Sequence, residues 1–300
     1  AFFGRIEGFL DGPAENDVAF NYKKGQFTDD TGQALVLLDS IESTDYEPDT
    51  RDIALRMLAW AEKENAFENN ILGPTSKVAL ANFRDNIQDS RITDKALSNG
   101  SAMRIAPIGC LFRPEQKEDI ARYVYLVSRA THTSDVTIAG AAMIAEAVSS
   151  AIVKDDFEKV MEDVFGIEEI GYGMGCETFS PRLGERLRIG LDIAGSYKGD
   201  DEGFIHKLYD VVGTGVGIIE SVPAALSVAY YAQDPNLSCL LCANMAGDTD
   251  TIGAMATAVC GAFTGMGRIK PEYIRTLRQQ NDADFDHYIR ILEKGRERFA

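Results

Sequence analysis

Cysteine is scarce in this chain of 300 residues, and what there is lies scattered. Cys110, Cys176, Cys239, Cys242 and Cys260 are odd in number and form no disulfide framework. "SCLLCAN" contains a C-x-x-C, but within an apolar stretch that has no second Cys or His pair. Buried thiols on a core helix are the leading reading there, with redox or metal chemistry as the alternative. No apolar run approaches the roughly 20 residues that span a bilayer, and no basic-then-apolar signal opens the chain. A cytoplasmic protein without membrane association is expected. Positive charge is short as well: 30 basic residues face 47 acidic ones, a net charge of −17. Such a field repels phosphate backbones and argues against a nucleic-acid partner, while favouring a cationic substrate group or a metal. A small anion held locally by backbone amides or an arginine stays open.

Strand alternation with two-residue hairpin turns is missing, as are serial βαβ units, repeats and long linkers. Helical periodicity takes their place. "TGQALVLLDSI" and "DTRDIALRMLAWAEKE" carry apolar residues at helical spacing, and "RPEQKEDIARYVYLVSRATH" predicts a helix beginning at Pro114 and Glu115. "VTIAGAAMIAEAVSSAIV" is apolar nearly all round and predicts a buried helix. "KPEYIRTLRQQ" and "DFDHYIRILEKGRERF" read as amphipathic surface helices. The expectation is one all-α domain over residues 1–300, its site built from inter-helix loops.

Two oxygen-rich clusters stand far apart in the chain, "FTDDT" at 27–31 and "GDTDT" at 247–251. Each has an ordinary reading as a helix start. Thr28 or Asp248 caps, and Asp29, Asp30 or Asp250 sits in the first turn, where the helix dipole favours negative charge. The small residues after Asp250 predict close packing, with Asp250 near the core. The sharper reading brings the clusters together. Aspartates sharing one partly buried place repel unless protonated or neutralised, and hard divalent cations neutralise them. Neither cluster holds cysteine or histidine, which favours magnesium, manganese or calcium over zinc or copper. Thr28 and Thr251 add hydroxyl oxygens. A metal pair sharing an aspartate could orient a ribose-like diol and activate a water.

Glycine loops supply anion-holding backbone: "SNGSAMR" with Gly100, Ser101 and Arg104, and "VGTGVG" with Gly213, Thr214, Gly215 and Gly217. Turning a corner explains each equally well, and neither is a P-loop. His132 in "RATHTSD" reads first as a satisfied core histidine.

In order along the chain, "FTDDT", "SNGSAMRIAPIG", "THTSD", "GYGMG", "GTGVGIIESVPAAL" and "AGDTDTIGAMATAVCGAFTG" resemble the ADP-ribosylglycohydrolase family. This family includes the dinitrogenase reductase-activating glycohydrolases and the ADP-ribosyl-acceptor hydrolases. The resemblance covers roughly residues 20 to 270. It implies a compact orthogonal helical bundle with two divalent cations, Mg2+ or Mn2+, in a cleft. On the family pattern Thr28, Asp29, Asp30, Asp248, Asp250 and Thr251 match metal ligands. Asp29, Asp30, Asp250 and Glu15 match catalytic carboxylates. Asn99, Gly100, Ser101, His132, Gly173, Gly175, Gly213, Thr214 and Gly215 match substrate-binding positions. The implied reaction hydrolyses the anomeric bond of an ADP-ribose unit on a protein side chain and releases free ADP-ribose. The implied partner is an ADP-ribosylated protein, with an ADP-ribosyltransferase or toxin as a further one.

The opening departs from the family, since Asp11-Gly12-Pro13-Ala14-Glu15 matches only the tail of the usual motif. Ala246 stands where glycine is usual. Arginine is the expected acceptor, because an acidic chain attracts its guanidinium, with serine or a small ester as alternatives. Glu15 or Glu220 at the mouth could pair with that cation. For Glu220, a helix-start acid is the competing reading. Two rival functions remain: a non-catalytic relative, either a structural protein or an immunity protein that blocks an ADP-ribosylating toxin by binding it, and a phosphohydrolase that cuts the diphosphate.

Overall fold

The computed structural model describes residues 6–12, 22–69 and 71–300. Among these residues fifteen α-helices follow one another without a strand, and two isolated bridge pairs are the only β contacts. The first eight helices are α1 (Asp29–Ser43), α2 (Thr50–Lys63), α3 (Pro74–Arg84), α4 (Arg91–Asp94), α5 (Ala106–Gly109), α6 (Lys117–Ser128), α7 (Asp135–Ala151) and α8 (Phe157–Tyr172). Then come α9 (Leu183–Ser196), α10 (Asp201–Val211), α11 (Ile218–Ala232), α12 (Pro235–Ala243), α13 (Thr249–Thr264), α14 (Pro271–Gln280) and α15 (Phe285–Phe299).

The alanine-rich α7 is the axis of the molecule. Every one of its residues is buried, and α5, α6, α8, α11 and α13 pack around it. Small side chains permit that crowding. A Cβ on Gly171 of α8 would stand 2.6 Å from the Ala139 Cα, so only glycine allows the two helices to approach so closely. At the other extreme, α14 buries no residue and α15 only Ile291 and Gly295, in keeping with two amphipathic surface helices.

The sequence pattern places one start wrongly. The helix expected from Pro114 begins at Lys117, because residues 113–116 close a turn of their own. There the Gln116 backbone N–H donates to the Arg113 carbonyl (3.0 Å), while the Gln116 side chain accepts from the Arg113 N–H (2.9 Å). Cys242 is buried on α12 and Cys239 half-buried, and all five cysteines are free thiols. Burial pushes both thiols up from their usual pKa, which makes them poor nucleophiles. No helix among the described residues is long and apolar enough to cross a membrane.

Candidate functional site

The two acidic clusters open helices that pack against each other, α1 and α13. Thr28 occupies the N-cap position of α1 and Asp248 that of α13, yet neither side chain caps its helix. A cap bond of this kind contributes about 1 kcal/mol, and both ends forgo it. The Thr28 hydroxyl donates instead to Asp30 Oδ2 at 2.7 Å, and Asp248 Oδ2 accepts the Asn99 side-chain amide at 2.6 Å. The side chains are turned toward a common place. Carboxylate oxygens of Asp29, Asp30 and Asp250 lie within 4.8 Å of one another there.

Asp30 is buried at 2 % exposure, and its Oδ1 has no hydrogen-bond partner. Burial and the neighbouring carboxylates raise the pKa of Asp29, Asp30 and Asp248. Asp29 is pushed up to about 8, first by burial and then by Asp30 and Asp250. Asp30 rises to about 7 through burial and Asp250, against the pull of the Thr28 hydroxyl. Asp248 reaches about 6, burial outweighing the Asn99 and Thr251 hydrogen bonds that lower it. An unpaired buried carboxylate oxygen among carboxylates this crowded calls for positive charge. The all-oxygen donor set suits a hard divalent cation. Asp250 itself is exposed, which corrects the expectation of a place near the core. The small residues behind it do pack the helix closely, but its first turn looks into the cleft.

That cleft, of about 730 Å³, runs from Asp29, Asp248, Asp250 and Thr251 past Ser98, Asn99, Gly100 and Met103 to Phe9, Leu10 and Val216. Its walls are braced by hydrogen bonds between loops. The Asn99 N–H donates to the Val216 carbonyl (3.1 Å), and the Ile218 N–H to the Leu97 carbonyl (2.8 Å). The 213–215 loop holds the second acidic cluster from behind: Thr214 accepts the Asp248 N–H at 2.7 Å and donates its hydroxyl to the Ala246 carbonyl at 3.0 Å. Gly247 passes so close that a Cβ would stand 2.2 Å from the Thr214 carbonyl oxygen, and its φ of +85° suits glycine. The Gly215 N–H is taken by Glu220 at 2.8 Å. Glu220 is therefore the helix-start acid of α11, and its carboxylate occupies the loop that spacing offered to phosphate.

A chain of polar contacts runs beneath the acidic cluster. Asp29 Oδ2 accepts from Gln33 Nε2 (3.2 Å), and Gln33 Oε1 from the Arg104 guanidinium (2.7 Å). Arg104, 1 % exposed, also donates to the Thr131 hydroxyl at 2.7 Å. Thr131 meets His132 Nδ1 at 2.8 Å, and His132 Nε2 meets the Ser98 hydroxyl at 3.0 Å. The Ser98 hydroxyl donates its proton to Thr75 Oγ1 at 3.0 Å, so His132 Nε2–H donates to Ser98 and Nδ1 accepts the Thr131 proton. Burial, and then the Arg104 charge, holds His132 far below its ordinary pKa, so it is neutral. Its ring lies under Gly100, where a Cβ would come within 2.8 Å of it. His132 thus supports the Asn99–Ser101 turn and does not face the cleft.

The other matched positions separate. Thr28 and Asn99 line the cleft with Gly100 and Thr251, while the Ser101 hydroxyl turns inward to the Thr137 carbonyl at 3.0 Å. Gly173 caps the end of α8, and Gly175 presses on the Asp135 backbone, where a Cβ would meet the nitrogen at 2.4 Å. Neither belongs to the cleft lining. Gly213 packs against the Glu220 side chain. Glu15 lies outside the described residues. Sequence reasoning misses Gln33 and also Tyr22, which lines the cleft with Asp29. Gln33 was findable, since it follows Asp29 by one helical turn; Tyr22 carries no local signal.

Comparison with known proteins agrees with this geometry. Residues 3–298 match the family model described as ADP-ribosylglycohydrolase. The uncharacterized protein YegU of Escherichia coli K12 is 41 % identical, over 99 % of this chain and 89 % of its own. Human ADP-ribosylhydrolase ARH3 is 24 % identical over 86 % of this chain and 76 % of its own. ADP-ribosylarginine hydrolase Tri1 of Pseudomonas putida is 25 % identical over 85 % and 63 %. A solved structure titled ADP-ribosylglycohydrolase-related protein complex shares the fold, with a TM-score of 0.69 at 20 % identity over 98 % of this chain and 88 % of that one. The chain belongs to the ADP-ribosylglycohydrolase family.

Proposed function

We propose that this protein is a divalent-cation-dependent hydrolase that removes ADP-ribose from a modified arginine side chain. The observation that carries the reading is the convergence of Asp29, Asp30 and Asp250 at the floor of a cleft of about 730 Å³. A volume of that size suits a nucleotide-sized ligand. The arginine acceptor draws support from the name of the Tri1 relative and from the net charge of −17. The partner is accordingly an ADP-ribosylated protein, with the transferase or toxin that modifies it as its counterpart.

Thr28, Asp29, Asp30, Asp248, Asp250 and Thr251 are the residues that would hold a pair of magnesium or manganese ions. When bound, the ions neutralise the carboxylates, polarise the ribose diol and lower the pKa of a water. The protein's own groups do the rest. Asn99 fixes the Asp248 carboxylate, and Gln33 fixes one oxygen of Asp29. Asp29 takes a proton from the attacking water as its oxygen bonds to the anomeric carbon. The carbon–nitrogen bond breaks, and that proton passes to the departing guanidine nitrogen. Water is consumed, and free ADP-ribose and unmodified arginine result. Mass spectrometry of the products tests the reaction: free ADP-ribose and unmodified arginine support it, whereas free AMP with phosphoribose left on the arginine moves the cut to the diphosphate.

A further inference from the structure

A second, smaller chamber of about 360 Å³ opens on the far side of Asp29. It shares Tyr22, Gln26, Thr28, Asp29 and Ile71 with the large cleft, so the two meet at the acidic cluster. Its own wall is made by Trp60 and Lys63 of α2, by Glu64 just after that helix, and by Asp282 beyond α14. Gly32 sets the depth of this wall. It stands one turn after Asp29 on α1, and a Cβ there would lie 2.9 Å from the Trp60 indole nitrogen. The missing side chain lets the indole lie against α1 beside the carboxylate. Any larger residue at position 32 would push the ring away.

We infer that this chamber receives the acceptor side chain and that Trp60 and Glu64 select a guanidinium there. The inference rests on the hydrolase reading: with ADP-ribose in the large cleft and its anomeric carbon over the shared residues, the leaving group projects into the small chamber. A planar cation stacks on an indole face and pairs with a carboxylate, which is the chemistry this wall offers. Apart from Asp29, which faces the metal site, two carboxylates, Glu64 and Asp282, stand against one ammonium, Lys63, so the chamber favours positive charge. A serine acceptor has neither the plane nor the charge to use it. The chamber is also at the small end of ligand pockets, which run from about 300 to 1,000 Å³, and suits one side chain better than a nucleotide.

Matched peptides carrying ADP-ribose on arginine or on serine test this, with wild-type protein, Trp60→Ala and Glu64→Gln, and manganese present throughout. Calorimetry with free ADP-ribose runs alongside. Each substitution is expected to raise KM for the arginine-linked peptide by about tenfold or more with little change in kcat. Free ADP-ribose affinity should hold, and the arginine-to-serine ratio of kcat/KM should fall by the same factor. Glu64 is exposed, so Glu64→Gln keeps the test valid even where Trp60→Ala unsettles α1. Wild-type turnover with a ratio that Glu64→Gln leaves unmoved overturns the assignment and leaves the hydrolase reading intact. So does an equal loss of ADP-ribose affinity, which would place nucleotide in the chamber. Wild-type protein that releases ADP-ribose from neither peptide overturns the hydrolase reading itself, and this assignment with it.

Discussion

The Asn99 amide donates to the Asp248 carboxylate at 2.6 Å, across 149 residues of sequence. One bond thereby joins the cleft wall to its floor. Asn99→Ala removes the donor that holds Asp248 in place and eases its ionisation. Loss of such an orienting partner lowers metal affinity by about 10–100-fold. Calorimetric titration with manganese should show that drop while circular dichroism stays helical. Unchanged affinity would detach Asn99 from the metal site.

The raised carboxylates fix how stability depends on pH. Asp29 and Asp30 move from 3.8 to about 8 and about 7, and Asp248 to about 6. With no cation bound, these groups hold protons in the folded state that the unfolded chain has released. Their contribution therefore weakens stability as pH rises from about 4 to 8. Glu146, buried beside Lys117 and pushed up to about 7, acts with the same sign. His132 acts oppositely, because its folded pKa lies well below 6.5. A cation displaces protons only at the acidic cluster, so the informative quantity is the difference between two melting curves. The gain in Tm from excess manganese over chelator should grow from pH 6 to pH 8. A gain that is flat or shrinks over that range contradicts the site.

Ala246 adopts φ +68°, a left-handed conformation that costs an L-residue about 1–2 kcal/mol. It does so because the carbonyl must meet the Thr214 hydroxyl while Gly247 slips under the Thr214 backbone. Ala246→Gly relieves the strain but adds freedom to the unfolded chain. The balance should raise stability by about 0.5–1 kcal/mol, read from denaturant unfolding. A fall of the same size would mean that the alanine methyl makes a contact worth more than its strain.

Much of this was legible in the sequence because two signals are local. Periodicity located α1, α2, α7, α14 and α15, and the aspartate doublets marked two helix starts. The clusters are also where local reading fell short. As helix caps, Thr28 and Asp248 looked satisfied by their own backbones; only the tertiary structure turns them outward. Asp250 was placed too deep, since small residues behind it announce a packed helix but not which way the first turn faces. The 213–215 loop looked ready for phosphate, yet Glu220, five residues on from Gly215, fills that amide. Trp60 on α2 and Asp282 between α14 and α15 line one chamber with Asp29, and nothing in their own neighbourhoods says so.

The most direct measurement is the rate of ADP-ribose release from an arginine-ADP-ribosylated protein as magnesium or manganese is titrated into chelator-stripped enzyme. It compares wild type with Asp30→Asn and Asp250→Asn. The wild-type rate should rise from near zero to a plateau with added cation. Either variant should fall by roughly 100-fold or more while keeping its helical spectrum. Full activity in excess chelator, or undiminished turnover in either variant, would contradict a carboxylate-held metal centre.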